Sequence, residues 1–173
     1  MVHVIAHRGW WTTPAEQNTP DAFRRAFDAG IGVELDVRDR EGRLVVSHDP
    51  PEYGLPSLLF GRVLEILGDR PNVLAVNVKS CGLAPWFAEL KAPKNWFFFD
   101  TAPGDEGEYQ RHRLPLYERD VWQADPVLLV SWEVLFKGSD NKAYWNDLKK
   151  GPHRDRNILL VTDLPREALE FFK

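Results

Sequence analysis

A chain of 173 residues is long enough to bury a sizeable core in one compact domain, taken here as residues 1–173. Its formal net charge of -4 offers no basic surface to hold nucleic acid, which sets that class of partner aside. The one cysteine, Cys81, cannot close an internal disulfide, the N-terminus shows no basic-then-apolar leader pattern, and no apolar run reaches the length of a membrane span, so the expectation is a soluble, cytoplasmic protein.

In chain order, the first β-rich run is Val2–Ala6, which leads straight into His7-Arg8-Gly9. Asn18-Thr19-Pro20 has the pattern of a helix cap followed by proline in the first turn, and helical spacing from Asp21 to Ala29 stops at Gly30. Gly32–Val37 and Arg43–Ser47 come next. Only Arg38-Asp39-Arg40-Glu41-Gly42 separates them, too short for a parallel crossover, so a hairpin is predicted. If that hairpin projects past the top of the sheet, Glu34, Asp36, His48 and Asp49 meet at one rim. A helix over Leu58–Leu67 ends at Gly68, and Asn72–Val78 reads as a strand. Leu83–Leu90 is helical, Trp96–Phe99, Leu114–Tyr117 and Val127–Ser131 are β-rich, and Asp120–Gln123 counts as a short strand. A helix over Asn141–Lys149, a strand over Ile158–Val161 and a helix over Pro165–Phe172, capped by Asp163, complete the pattern.

Several of these runs are continuously apolar, the mark of parallel strands covered on both faces. Their alternation with helices predicts an α/β fold. With the hairpin return treated as extra, the strands number eight, yet a complete barrel usually exceeds ~200 residues. The expected fold is therefore a small (β/α)8 TIM-type barrel with some helices shortened or missing, with an open doubly wound sheet as the alternative.

Polar residues gather just after the apolar runs, where barrels and open α/β sheets bind ligands. His7 and His48 are candidates for general acid and base, because imidazole titrates near neutral pH. Either alone is more often a structural histidine; the two together, beside carboxylates and an arginine, favour catalysis. His3, His112 and His153 read as structural or solvated. Glu34 and Asp36 lie two apart on one strand and share a face, opposite Ile31, Val33, Leu35 and Val37. With the apolar face packed on helices, the acidic face turns inward, where two like charges call for a cation such as Mg²⁺ or Ca²⁺. Arg8 and Lys79 are the candidate phosphate ligands, the first as a bidentate fork and the second as a point charge. Trp10, Trp11 and Trp132 are expected to pack in the core or at the rim.

Four segments together resemble the glycerophosphodiester phosphodiesterase family of barrel phosphodiesterases: Ala6-His7-Arg8-Gly9, Asn18-Thr19-x-x-Ala22-Phe23, Glu34-Leu35-Asp36-Val37 and Gly42-x-Leu44-Val45-Val46-Ser47-His48-Asp49. Thr162-Asp163-x-Pro165 resembles the family's last strand and turn, while the middle of the chain matches weakly. The resemblance implies acid–base catalysis by His7 and His48, a divalent cation on Glu34 and Asp36, a phosphate grip from Arg8 and Lys79, and a small-molecule phosphodiester as substrate. Two positions depart from the family's pattern. The third metal carboxylate, two residues before Lys79, is Asn77, an uncharged amide ligand. The acid before Asn-Thr is Gln17, with Glu16 one residue earlier as a substitute through a shifted loop. Asp100 and Glu133 are expected near the rim as candidates to complete the polar shell. These departures keep a second reading open, a barrel that binds a phosphorylated ligand without turnover.

Overall fold

The computed structural model describes residues 1–91, 93–136 and 138–173. Strand β1 (Val2–His7) pairs in parallel with β2 (Gly32–Arg40) on one side and with β8 (Ile158–Thr162) on the other. From β2 the parallel ladder continues to β5 (Leu74–Val78) and β6 (Trp96–Phe99); from β8 it continues to β7 (Val127–Val130). An open sheet would leave β6 and β7 as edges. Instead, isolated parallel bridges join Phe98 to Leu116 and Arg119 to Leu128, so the segment between them links the two ends of the ladder.

The two hydrophobic clusters have the layering of a barrel. Ile5, Ala75, Phe97, Phe99, Leu128, Val130, Leu159 and Val161 alternate along their strands and fill the interior. Val4, Ala6, Val33, Leu35, Val37, Val76, Phe98, Leu129 and Leu160, on the opposite face of the same strands, pack with helix residues such as Phe23, Phe60 and Ala168. The small α/β barrel expected from the sequence is thus borne out, and its helices are unequal. Helices α1 (Pro20–Asp28), α2 (Phe60–Leu67), α6 (Asn141–Lys150) and α7 (Pro165–Phe172) cover two turns or more. Helices α3 (Ala84–Ala88), α4 (Glu106–Arg111) and α5 (Trp132–Leu135) are shorter, and no helix separates the Leu116–Arg119 segment from β7. Asp120–Gln123 forms a turn rather than the predicted strand.

The hairpin forms as predicted, with longer arms. β2 runs to Arg40 and β3 spans Arg43–Val46, leaving a two-residue turn at Glu41-Gly42. Both turn residues have positive φ, 50° and 74°, which matches the right-handed twist of the arms. A two-residue strand, β4 (Leu58–Leu59), pairs on the outer edge of β3 before α2 begins, so the first two residues of the predicted helix are extended. Thr19 caps α1, its hydroxyl accepting from the Ala22 amide, with Pro20 in the first turn; such a cap contributes about 1 kcal/mol. Asp163, by contrast, does not cap α7: the N-cap is Leu164, whose amide donates to Thr162 Oγ1 at 3.1 Å. Among the described residues, no helix is long and apolar enough to cross a membrane.

Candidate active site

The carboxyl end of β1 delivers His7 to the mouth of the barrel. Ile5 belongs to the interior cluster, so strand alternation also turns His7 inward. The chain then turns sharply. Arg8 takes φ of 56° and Gly9 φ of 85°, and a Cβ on Gly9 would stand 2.9 Å from Ala22 Cβ. Only glycine lets the loop lie this close to α1. The loop returns at Asn18, also left-handed at φ 57°, whose amide donates to Arg8 O at 2.9 Å. Trp11 Nε1 donates to His7 O at 2.9 Å, and Trp10 packs against the core, so both tryptophans serve the loop as packing. Trp132 likewise stacks on Tyr144, with ring centroids 4.9 Å apart.

Neighbouring strands bring the carboxylates. Register places Glu34 beside His7 and Asp36 beside Asn77. Both carboxylates are buried, and both lie opposite the outward Val33, Leu35 and Val37, as the alternation predicts. Glu34 Oε2 accepts from the Arg8 amide at 3.1 Å and lies 3.9 Å from His7 Nε2. Asp36 is ringed by donors and cations: Arg8 Nε at 3.0 Å, Asn18 Nδ2 at 3.0 Å and Lys79 Nζ at 3.5 Å. Arg8 also donates to Gln17 Oε1 at 3.2 Å. Gln17 therefore keeps its place beside Arg8. Glu16 faces away, bonded to Thr12 and Arg25, so it does not stand in for an acid at position 17.

The sequence reading missed the partner of His7. Asp163 leaves the end of β8, next to β1, and its Oδ1 lies 2.7 Å from His7 Nδ1. Burial pushes the His7 pKa down, but Glu34 and then Asp163 more than offset it, so the imidazole holds its proton above the ordinary 6.5. Burial likewise pushes Glu34 upward; the His7 imidazole opposes that rise and Asp36 adds to it.

Among the described residues, no three His, Cys, Asp or Glu side chains converge to hold a metal ion. The donor set that remains is two carboxylates and an amide. Glu34 Oε1, Asp36 Oδ1 and Asn77 Oδ1 are all buried without a hydrogen-bond partner. Acceptor oxygens without hydrogen bonds on adjacent inward positions of β2 and β5, that of Asp36 facing the Lys79 ammonium at 3.5 Å, are hard ligands suited to Mg²⁺ or Ca²⁺, so the residues fit such an ion.

His48 stands apart. Ser47 N donates to Asp36 O at 3.0 Å, which brings the hairpin's return arm to the rim. The ring itself is 45 % exposed and, among the described residues, pairs with Asp49 alone, at 3.0 Å. The structure thus brings together His7, Arg8, Glu34, Asp36 and Lys79, with Asn77 adjacent, but leaves the His48 imidazole outside their contacts. Asp100 and Glu133 belong elsewhere. Asp100 pairs with Arg119 at 2.7 Å, and Glu133 accepts from the Ser131 and Thr162 hydroxyls, anchoring α5 outside the barrel wall.

No family model matches the chain, and no curated protein matches it in sequence. Solved structures do. A glycerophosphodiester phosphodiesterase from Agrobacterium tumefaciens superposes with a TM-score of 0.67 at 16 % identity, covering 98 % of this chain and 100 % of the other. A phosphodiesterase from Oleispira antarctica, solved with its product sn-glycerol-3-phosphate, superposes with a TM-score of 0.58 at 16 % identity, covering 98 % of this chain and 96 % of that one. At such identity the likeness is one of fold, and it extends over nearly the whole length of each partner.

Proposed function

We propose that this protein is a phosphoric diester hydrolase that cleaves a small glycerophosphodiester with the aid of a divalent cation, Mg²⁺ or Ca²⁺. One observation carries the reading: His7, with a carboxylate on either side, stands at the barrel mouth beside the buried Glu34–Asp36 pair, which Arg8 and Lys79 border. Acid–base, anion-binding and cation-binding groups in one cleft are the requirements of phosphodiester cleavage. The folds of the two phosphodiesterases support the same reading.

Glu34, Asp36 and Asn77 would hold the cation, which when bound supplies charge to a non-bridging phosphate oxygen. Arg8 and Lys79 orient the phosphate, the guanidinium as a fork and the ammonium as a point charge. His7, held protonated by Glu34 and Asp163, is set up to donate a proton to the departing alkoxide. Asp163 is a positioning residue, fixing the ring through Nδ1 and leaving Nε2 towards the site. His48 then takes the proton from the attacking oxygen, its exposed ring turning to substrate at the rim. A water and a neighbouring substrate hydroxyl are the two nucleophiles this arrangement accommodates.

The test is a panel of phosphodiesters assayed with Mg²⁺, Ca²⁺ and chelator, alongside calorimetric titration of each ion. Turnover that chelation abolishes supports the hydrolase. Binding of glycerol phosphate without turnover under any ion supports instead a barrel that binds a phosphorylated ligand, a reading favoured by Asn77 in place of a charged ligand.

A further inference from the structure

Arg38 follows the last inward carboxylate of β2 by two residues and has no part in the chemistry described above. Its guanidinium spans the rim. Nε donates to His48 O at 2.9 Å and Nη1 donates to Lys79 O at 3.0 Å. The two carbonyls lie on separate elements, one past the end of β3 and the other past the end of β5. Lys79 has a second backbone anchor, because its amide donates to Val37 O at 2.9 Å. His48 does not: the last backbone bond of the return arm is that of Ser47, and no other protein group holds His48 O among the described residues.

We propose that Arg38 is the positioning residue for His48, using its fork to fix the hairpin's return arm against the end of β5. A guanidinium suits this task because its donors diverge in a rigid plane, whereas an ammonium holds one carbonyl firmly at a time. The inference rests on His48 being an acid–base group.

The experiment measures kcat and KM on a glycerophosphodiester for Arg38→Ala and Arg38→Lys, each alone and combined with His48→Ala. Misplacing the histidine should lower kcat on the order of tenfold in Arg38→Ala, with Arg38→Lys intermediate. KM should change less than about twofold, because the Arg38 guanidinium is engaged with two backbone carbonyls and Lys79 keeps its amide bond to Val37. In the His48→Ala background, Arg38→Ala should cost nothing further, since the group it serves is gone. Additive losses in the double variant, or a rise in KM with kcat preserved, overturn the proposal. Full activity in His48→Ala alone instead overturns the reading of His48, and the two failures are told apart. Should Arg38→Ala not fold, Arg38→Lys carries the same double-variant comparison.

Discussion

His7 leaves the end of a central strand with a partner at each ring nitrogen, Asp163 at 2.7 Å and Glu34 at 3.9 Å. His48 leaves the return arm of a projecting hairpin with its ring half in solvent and Asp49 as its neighbour. One is oriented through its side chain by strands on both sides; the other is placed through its backbone by Arg38. An imidazole that must keep its proton needs carboxylates close by. One that takes a proton from a mobile nucleophile is better left at the solvent edge, where water reaches it. In the proposed mechanism, the asymmetry of the two surroundings matches that of proton donor and proton acceptor.

The largest expected effect tests whether both halves take part at all. His7→Ala and His48→Ala should each lower kcat on a glycerophosphodiester by about a thousandfold while circular dichroism stays unchanged. Retained turnover in His48→Ala would remove the hairpin half from the mechanism. Next comes Asp163→Asn, which keeps the shape and removes the charge beside His7. It should cost roughly ten- to a hundredfold in kcat and move the His7 limb of the pH–rate profile to lower pH, since one partner that raises its pKa is gone. An unmoved limb would reassign that limb to another group.

Asn77→Asp probes the cation side of the buried half. A third carboxylate next to Asp36 should tighten Mg²⁺ or Ca²⁺ binding by about tenfold in calorimetry. Equal affinity would show that Asn77 lies outside the ion's shell. Stability against pH follows from the same pair of groups. His7 and Glu34 both have pKa values raised above their ordinary 6.5 and 4.5. The folded chain therefore binds more protons than the unfolded one between the ordinary and the raised values. Each contribution is complete below the ordinary value and is lost as pH rises through the raised one. In chelator, the melting temperature should fall as pH rises above 4.5 and again above 6.5, and saturating cation should reduce the decline. A flat profile in chelator would contradict it. The smallest catalytic effect belongs to Glu133→Ala. It should leave turnover within about twofold yet cost roughly 1–3 kcal/mol of stability, because the Ser131 and Thr162 hydroxyl protons lose their acceptor.

What the sequence made legible follows the range of the interactions. The hairpin, the Thr19 cap and the inward Glu34–Asp36 face depend on neighbours a few positions apart, so local pattern reveals them. The His7–Asp163 pair joins residues 156 positions apart, and Asp163 ahead of Pro165 has the same local look as a helix cap. Position just after β7 predicts a rim role for Glu133, but its long-range partner, Thr162 of the neighbouring β8, lies 29 positions away and turns it outside the wall. The Leu116 and Arg119 bridges escape periodicity for another reason: each is a single contact, with no run of alternating residues to reveal it. The pattern of Asp120–Gln123 instead suggests a strand where the chain makes a turn.

That short segment has a consequence for how the wall breathes. Where other neighbours share a ladder of several bonds, β6 and β7 are joined across it by three backbone hydrogen bonds, from the amides of Phe98, Tyr117 and Asp120. Hydrogen exchange should find these amides the first of the wall to open, ahead of those in β1, β2 and β8. The seam faces away from the arc that carries His7, Glu34 and Asp163, so water can enter the wall there while the chemical groups stay in register.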